Sequence, residues 1–246
     1  MYSKIIVKPK TSLMRGESVN NPQVQWAKTV VVCGHYGCGK TNFSLNLAKS
    51  IVDSGTQVTL MDLDIVNPYF RSGEYPALLE QWGVTLAASP YVRSGLDIPA
   101  IPAEMYAAFE QEGVLIIDAG GDDAGAAALG RFSHLITKRG YQMLYLVNRY
   151  RYLTRKPQEA LALMKEIEQA SRLSVTHIVG NSHLKNDTTA EGLLESFPFA
   201  QEVSALAEKP LLFHTVPPNV SKGLLKGKAV PNLFDVDIYV KTDWEE

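Results

Sequence analysis

Hydrophobic residues recur along the chain in two kinds of pattern. Short runs of aliphatic and β-branched residues, typical of strands buried on both faces, alternate with longer stretches of helical spacing. The runs predict strands at residues 29–33, 57–61, 85–88, 114–117, 143–147, 175–179 and 211–216. The helical spacing predicts helices at residues 42–52, 103–112, 157–170 and 190–207. This alternation predicts an α/β fold, a mostly parallel sheet with helices on both faces.

One domain, residues 28–246, is predicted to contain all of these elements. Residues 1–27 precede the first predicted strand, contain Pro9 and Pro22, and are predicted to form an N-terminal appendage. The stretch after Pro217 and Pro218 is rich in Lys and Gly and then contains Asp-Val-Asp-Ile-Tyr-Val. Its pattern fits either a closing strand or a partner-binding tail.

The composition narrows the class of protein. Hydrophobic residues make up 46% and charged residues 20% of the 246 residues, which argues against a disordered chain and a coiled coil. The net charge of −2 does not indicate nucleic-acid binding. No apolar run approaches the roughly 18 residues that a membrane span requires. Two cysteines, Cys33 and Cys38, cannot build a disulfide framework, so we expect a cytoplasmic protein.

Residues 34–41 read Gly-His-Tyr-Gly-Cys-Gly-Lys-Thr and match the phosphate-binding motif G-x-x-x-x-G-K-[ST]. The match lies between a predicted strand and a predicted helix, which is the context that this motif requires. Glycines let successive N–H groups point at phosphate oxygens, and the helix N-terminus adds the positive end of its dipole. Lys40 is expected to reach the β- and γ-phosphates, and Thr41 to offer its hydroxyl to Mg²⁺. The predicted nucleotide-binding residues of this segment are Gly34, His35, Tyr36, Gly37, Cys38, Gly39, Lys40, Thr41 and Asn42. Because Cys38 lies at a helix start, its thiol is a candidate for a lowered pKa.

The segment also resembles the deviant Walker A motif of the MinD/ParA group, G-K-G-G-x-G-K-[ST]. Further similarities follow in chain order. Residues 61–64 resemble the D-x-D segment of that group, and residues 115–121 resemble its Walker B and switch II region. Asn181 resembles its base-contacting Asn, and residues 216–217 resemble the segment that packs against adenine. Over about residues 28–220 the chain therefore resembles the CobQ/CobB/MinD/ParA superfamily.

This resemblance implies a P-loop NTPase fold that binds ATP or ADP with Mg²⁺. It implies that Asp64 lies near the attacking water or the metal shell, and that Lys40 and Asp64 are catalytic. Asp62 and Asp64 are two residues apart, so they point to opposite faces if the strand continues. Asp118 ends an apolar strand and is expected to contact Mg²⁺ through water. The expected metal-site residues are Thr41, Asp62, Asp64 and Asp118.

Two residues depart from the resemblance. His35 stands where the group has a signature Lys that reaches the partner's nucleotide, and an imidazole is shorter and mostly neutral at pH 7. Tyr36 stands where the group has Gly. These departures do not exclude a homodimer, but ATP is not expected to drive its formation.

The identity of the base follows from the segment around Asn181. Residues 181–184 read Asn-Ser-His-Leu, which does not match the guanine-reading pattern N-K-x-D. This favours adenine. The resemblance implies that Asn181 contacts the base and that Pro217 packs against it.

Three further segments each allow two interpretations. Residues 120–125 are small and acidic, which suits either a mobile switch loop or a surface turn. Residues 67–72 carry two aromatics and an Arg, so they either bind a second substrate or partner or pack as a loop. Residues 148–151 carry two Arg residues, which either steer an anionic ligand or form a solvated basic turn.

Three functions fit these features. The first is a Mg²⁺-dependent ATPase that acts as a switch, whose nucleotide state a protein partner reads. The second is an ATP-dependent ligase acting on a small carboxylate, similar to cobyrinate a,c-diamide synthase or dethiobiotin synthetase. The third is a nucleotide-binding module without hydrolysis.

Overall fold

The structure is a computed structural model, and it describes residues 24–64, 72–88, 103–121, 123–183, 187–224 and 232–240. At Asp123 and residues 222–224 it describes the backbone only. Most of the predicted appendage, residues 1–23, and residues 67–71 of the segment after Asp64 lie outside the described residues. Within the described residues, no helix is long and apolar enough to cross a membrane.

One parallel sheet forms the centre of the described structure, with the strand order β3-β2-β4-β1-β5-β6-β7-β8. Its strands are β1 (Thr29–Gly34), β2 (Val58–Leu63), β3 (Thr85–Ala87), β4 (Val114–Ala119), β5 (Tyr141–Val147), β6 (His177–Gly180), β7 (Leu211–Val216) and β8 (Leu233–Asp235). Every residue of β1, β2 and β4 is buried. These strands therefore carry continuous apolar runs rather than an alternating pattern.

Helices connect the strands. They are α1 (Lys40–Asp53), α2 (Pro76–Gln81), α3 (Ala103–Ala107), α4 (Asp123–Arg131), α5 (Ser133–Arg139), α6 (Pro157–Ser171), α7 (Ala190–Ala207) and α8 (Pro218–Leu224). Successive residues of β1 enter two different cores. Val30 packs in a core with Phe43 of α1, whereas Val31 packs in a core with Leu129 of α4 and Met164 of α6. Helices thus cover both faces of the sheet.

The predicted α/β fold is confirmed, and each predicted strand falls on an observed one. The predicted helix at residues 103–112 is shorter, because α3 ends at Ala107 and a 3-10 turn, Ala108–Glu110, follows it. The helices α2, α4, α5 and α8 are not predicted by the hydrophobic pattern. Since α4 begins at Asp123, only the first part of the predicted loop at residues 120–125 is a loop. Near the C-terminus, β8 pairs in parallel with β7, but of the stretch Asp-Val-Asp-Ile-Tyr-Val only Asp235 belongs to this strand.

The topology brings the candidate residues to one edge of the sheet. Strand β1 lies between β4 and β5, and all three strands run in the same direction. The segments that follow β1, β2, β4, β5 and β6 therefore meet at the carboxyl edge, where open α/β sheets bind their ligands.

Candidate nucleotide-binding site

The phosphate-binding loop, residues 34–41, turns directly from β1 into α1. Gly34, Gly37 and Gly39 have φ angles of +148°, +70° and +92°, which favour glycine. Gly34 also has no room for a side chain, because a Cβ would lie 2.6 Å from the carbonyl oxygen of Leu146. Gly39, the N-cap residue of α1, has no side chain that could cap the helix. Its first N–H groups are thus available to an anion.

Lys40 folds back onto this loop. Its side chain is 7% exposed, and Nζ donates a hydrogen bond of 3.2 Å to the carbonyl oxygen of His35. The segment after β4 lies against the same ammonium group, since Gly121 contacts both Lys40 and the backbone of Tyr36. The geometry holds a buried cation at the start of α1.

His35 and Tyr36 differ in exposure. Nδ1 of His35 donates to the carbonyl oxygen of Tyr36 at 2.7 Å, which ties the imidazole to its own loop. The ring of Tyr36 is 56% exposed. The roles of both residues toward a nucleotide stay predictions.

Three carboxylates lie at the carboxyl ends of β2 and β4. Asp62 and Asp118 are paired neighbours on β2 and β4. Asp62 accepts hydrogen bonds from the N–H groups of Asp64 (3.0 Å) and Gly73 (2.7 Å). Burial, and then the nearby charge of Asp118, raises the pKa of Asp62. Asp64 is almost fully buried and lines the cavity described below.

Asp118 is the most buried of these acids. Its Oδ1 accepts a hydrogen bond from Ser44 Oγ at 3.3 Å, while its buried Oδ2 has no hydrogen-bond partner among the described residues. Burial raises the pKa of the Asp118 carboxyl, and the positive charge of Lys40 opposes that shift. The hydroxyls of Thr41 and Ser72 also lie close enough to lower the pKa of this carboxyl, and a buried carboxylate beside hydroxyl oxygens fits a site that receives a hard cation.

Asn181 fastens β6 and β7 to the phosphate-binding loop. Its Nδ2 donates to the carbonyl oxygen of Cys38 at 2.6 Å, and its Oδ1 accepts from the hydroxyl of Thr215. An amide has two N–H donors and two acceptor lone pairs, so one of each remains beyond these bonds. Contact between Asn181 and a base stays a prediction. The same holds for Pro217, which is buried directly after β7 and does not line the cavity.

A cavity of about 300 Å³ opens beside the loop. That volume lies at the lower end of the range of ligand pockets. The residues lining it outside the loop are Asn42, Asp64, Asn148, Arg151, Asn181, His183, Ile238 and Val240. Sequence patterns indicate a role for several of these residues, but not for His183, Ile238 or Val240. Only their approach in three dimensions reveals them.

Arg151 belongs to the basic turn that follows β5. Its guanidinium lies against Gly37, where a Cβ would be 3.2 Å from Cζ and 3.3 Å from Nη1. The side chain is exposed and makes no hydrogen bond or ion pair with any other described residue. The structure therefore places one Arg of this turn beside the loop that is predicted to bind phosphate. This position favours the first interpretation, a turn that steers an anionic ligand.

The expectation of a lowered pKa at Cys38 is wrong. Cys38 is 1% exposed, and burial raises the pKa of its thiol although the charges of Lys40 and Arg151 oppose the shift. Cys33 is buried as well, and burial likewise raises its pKa. Both thiols are free. For the pKa of the Cys38 thiol, desolvation therefore has a larger effect than the position at a helix start.

No protein-family model matches the chain, and no curated protein matches it. The cell division protein FtsY of Thermotoga maritima is 21% identical, with a TM-score of 0.54 over 81% of this chain and 64% of that one. The chloroplast FtsY of Physcomitrella patens is 17% identical, with a TM-score of 0.52 over 83% of this chain and 61% of that one.

A third similar structure is the signal recognition particle 54 kDa protein of Aeropyrum pernix, solved in complex with GDP. It is 16% identical, with a TM-score of 0.51 over 81% of this chain and 43% of that one. This chain thus spans less than two thirds of the length of each of these three proteins. At such identities the likeness shows the fold alone. The eight-stranded parallel sheet and its match to these structures establish that the chain has the P-loop NTPase fold.

Proposed function

We propose that this chain is a Mg²⁺-dependent ATPase that acts as a nucleotide-dependent switch. The observation that carries the proposal is the contact between the phosphate-binding loop and the segment after β4. Gly121 lies so close to Lys40 and to the backbone of Tyr36 that not even a Cβ fits between them, and we expect a phosphate at Lys40 to compete with it for space. Binding at Lys40 is thereby coupled to the position of residues 120–121.

The coupling continues into α4. Gly125, in the first turns of α4, packs on Gly120, since a Cβ at Gly125 would lie 2.5 Å from the Cα of Gly120. A displaced Gly120 therefore pushes on α4, which packs against α6. Close-packed elements respond to small shifts by discrete rearrangement rather than by continuous deformation. A protein partner that contacts α4 would then read the nucleotide state.

The residues around Lys40 also fit Mg²⁺ bound together with phosphates. We expect Thr41 to ligate the ion, and Asp118 and Asp64 to hold its water shell, because the buried Oδ2 of Asp118 lacks a hydrogen-bond partner among the described residues. When bound, Mg²⁺ neutralises the charge on the phosphates. The described residues contain no cluster of three or more His, Cys, Asp or Glu that could hold a metal ion. Mg²⁺ bound with a nucleotide typically takes most of its ligands from phosphates and water.

Lys40, Asp64 and Asp62 are proposed to have different roles in hydrolysis. Lys40 places a positive charge at the β- and γ-phosphates. Asp64 orients the attacking water and accepts its proton. Asp62, which accepts from the N–H groups of Asp64 and Gly73, holds the backbone around Asp64 in place. Positioning and charge stabilisation are the main sources of rate in phosphoryl transfer.

Adenine is the proposed base. Position 184 is Leu, whereas the guanine-reading pattern N-K-x-D places a carboxylate there. The GDP in the Aeropyrum structure belongs to that protein, and 16% identity carries no base preference to this chain. Competition between ATP and GTP for the purified protein tests the choice, and tighter binding of GTP would contradict it.

Calorimetric titration with ATP and Mg²⁺ tests the phosphate site. Lys40→Ala is expected to weaken binding about tenfold or more, because charge-assisted contacts contribute about 1.5–3 kcal/mol. Lys49→Ala is the matched control, since Lys49 lies on the same helix but pairs with Asp53 at 2.5 Å on the surface. Equal affinity of the Lys40 variant and the wild type would refute the phosphate site.

Single-turnover hydrolysis tests the catalytic roles. Asp64→Asn is expected to slow hydrolysis roughly 10²–10⁴-fold at nearly unchanged affinity, as for loss of a general base. Asp118→Asn is expected to weaken Mg²⁺-dependent binding and slow hydrolysis together. A full-rate Asp64 variant would refute the catalytic role of Asp64, whereas a wild type that binds ATP and does not hydrolyse it would favour a binding module. A requirement for an added small carboxylate would favour the ligase.

A further inference from the structure

A short segment after β8, residues 237–240, is fastened to α1 by two asparagine side chains. Asn42 and Asn46 lie one helical turn apart, and both donate from Nδ2 to the carbonyl oxygen of Asp237 at 2.9 Å. In return, the N–H of Asp237 donates to Asn46 Oδ1 at 2.8 Å. The N–H groups of Tyr239 and Val240 donate to Asn42 Oδ1 at 2.8 and 3.2 Å. Two side chains thus replace the hydrogen bonds that a neighbouring strand would make.

This asparagine clamp, Asn42 and Asn46, is a built feature rather than a surface contact. Each of the two side chains is only 7% exposed, so an unpaired amide at either position would be costly. Asn42 directly follows Thr41 in the chain. The clamp therefore fixes a segment distant in sequence beside the residue that ends the phosphate-binding loop.

The clamp also sets which side chains face the cavity. Ile238 and Val240 line it, together with Lys40 and Thr41. Tyr239 instead packs edge-on against Trp82, with ring centroids 4.9 Å apart. Ile238 and Val240 thus lie on the cavity side and Tyr239 lies against Trp82, so a slip of the segment by one residue would change which side chains face the cavity.

The residues that line the cavity differ in chemistry. Lys40 and the N-terminus of α1 suit phosphates, which need charge and N–H donors. Ile238 and Val240 offer aliphatic surface, which suits the flat face of a base and not a phosphate. We propose that Ile238 and Val240 form the wall that contacts the nucleobase, and that Asn46 is a positioning residue that holds this wall in register. The inference rests on the proposed nucleotide binding.

Comparing ATP with inorganic tripolyphosphate as titrants tests the wall. Ile238→Ala is expected to weaken ATP binding roughly five- to thirtyfold, through lost apolar contact, and to leave tripolyphosphate binding unchanged. Leu206→Ala is the control, because Leu206 is a partly exposed leucine on α7 that does not line the cavity. An unchanged ATP affinity, or an equal loss for both titrants, would overturn the wall. If neither titrant binds the wild type, the proposed function itself fails.

The clamp has its own test. Asn46→Ala is expected to lower ATP affinity while sparing tripolyphosphate, and to speed amide hydrogen exchange at Asp237. Asn46→Asp keeps the oxygen that accepts from Asp237 but loses the Nδ2 group that donates to the carbonyl oxygens of Asn42 and Asp237, so it is not expected to restore ATP affinity. A variant that unfolds would weaken both titrants and show faster exchange throughout α1. Faster exchange at Asp237 with unchanged ATP affinity would overturn the positioning role.

Discussion

Gly121 lies against Lys40 so closely that a Cβ added to Gly121 would be 2.6 Å from Nζ and 2.7 Å from the backbone nitrogen of Tyr36. The Lys40 ammonium group, which is expected to bind phosphate, therefore also contacts the segment after β4. A residue larger than glycine at this position has to displace the lysine, the loop or both.

Gly121→Ala is accordingly expected to weaken ATP binding about tenfold, comparable to the loss of a charge-assisted contact, because Lys40 is pushed from its position. Calorimetric titration measures the effect. Gly192→Ala is the control, since its Cβ would come no closer than 3.2 Å to another residue. Wild-type affinity of the Gly121 variant, at wild-type thermal stability, would show that the contact has no influence on binding.

Arg151→Gln is expected to reduce affinity for ATP several-fold and for AMP much less. The guanidinium lies over Gly37 and is available to a polyphosphate, and its exposure limits the energy of the contact. Titrations with ATP, ADP and AMP at one ionic strength measure this dependence on phosphate number. Arg155→Gln is the control, since Arg155 lies over the ring of Tyr152 at 5.3 Å. Equal losses for ATP and AMP would assign Arg151 to the α-phosphate or the nucleoside instead.

Thr215→Val is expected to lower the free energy of unfolding by about 1 kcal/mol, because Asn181 Oδ1 loses a buried donor. Asn181→Ala removes the bond to Cys38 as well, so we expect a loss of about 2–3 kcal/mol together with weaker ATP binding. Urea unfolding and ATP titration on each variant separate the two effects. In Ser204→Ala, which loses only a remote bond to Lys209, stability is expected to fall without a change in ATP binding. Unchanged ATP affinity in the Asn181 variant would show that its bond to the loop is not needed for binding.

His214 is expected to make the protein less stable in acid. Its ring is buried and stacks on Phe197 with centroids 4.0 Å apart, and burial lowers its pKa to about 4. An unfolded chain has a histidine pKa of about 6.5, so it binds more protons than the folded chain between these values. Stability therefore falls as the pH falls from about 6.5 to 4, by up to about 3 kcal/mol.

His214→Gln is expected to reduce this loss, as measured by urea unfolding at several pH values. His134→Gln, at an exposed position on α5, serves as the control. Identical acid dependence of the His214 variant and the wild type would contradict the assignment.

Local patterns were sufficient to predict the sheet and the phosphate-binding loop. The strand, the glycines and Lys40-Thr41 are contiguous in the chain, so their relationship needs no tertiary information. Helix α4 was missed because its glycines lower helix propensity, and its burial against α6 outweighs that preference.

The remaining site residues depend on contacts distant in sequence. Asn42 was predicted only as a neighbour of phosphate, and its bonds to residues 237–240 span almost the whole domain. Arg151 was recognised as basic, but its approach to Gly37 follows from the turn after β5. At Cys38 the helix start suggested a reactive thiol, and only the structure reveals the desolvation that outweighs it.

The burial of both native cysteines has a practical consequence. Maleimide reagents react with thiolates. Cys33 and Cys38 are both buried, and burial raises the pKa of each thiol, so neither forms a thiolate readily. A fluorophore can therefore be attached through a single cysteine introduced on the surface, with little background from the native pair. Over longer incubation, the rate at which Cys38 is modified reports how often the turn between β1 and α1 opens transiently. Mass spectrometry measures this rate, and a bound ligand that protects the turn is expected to lower it.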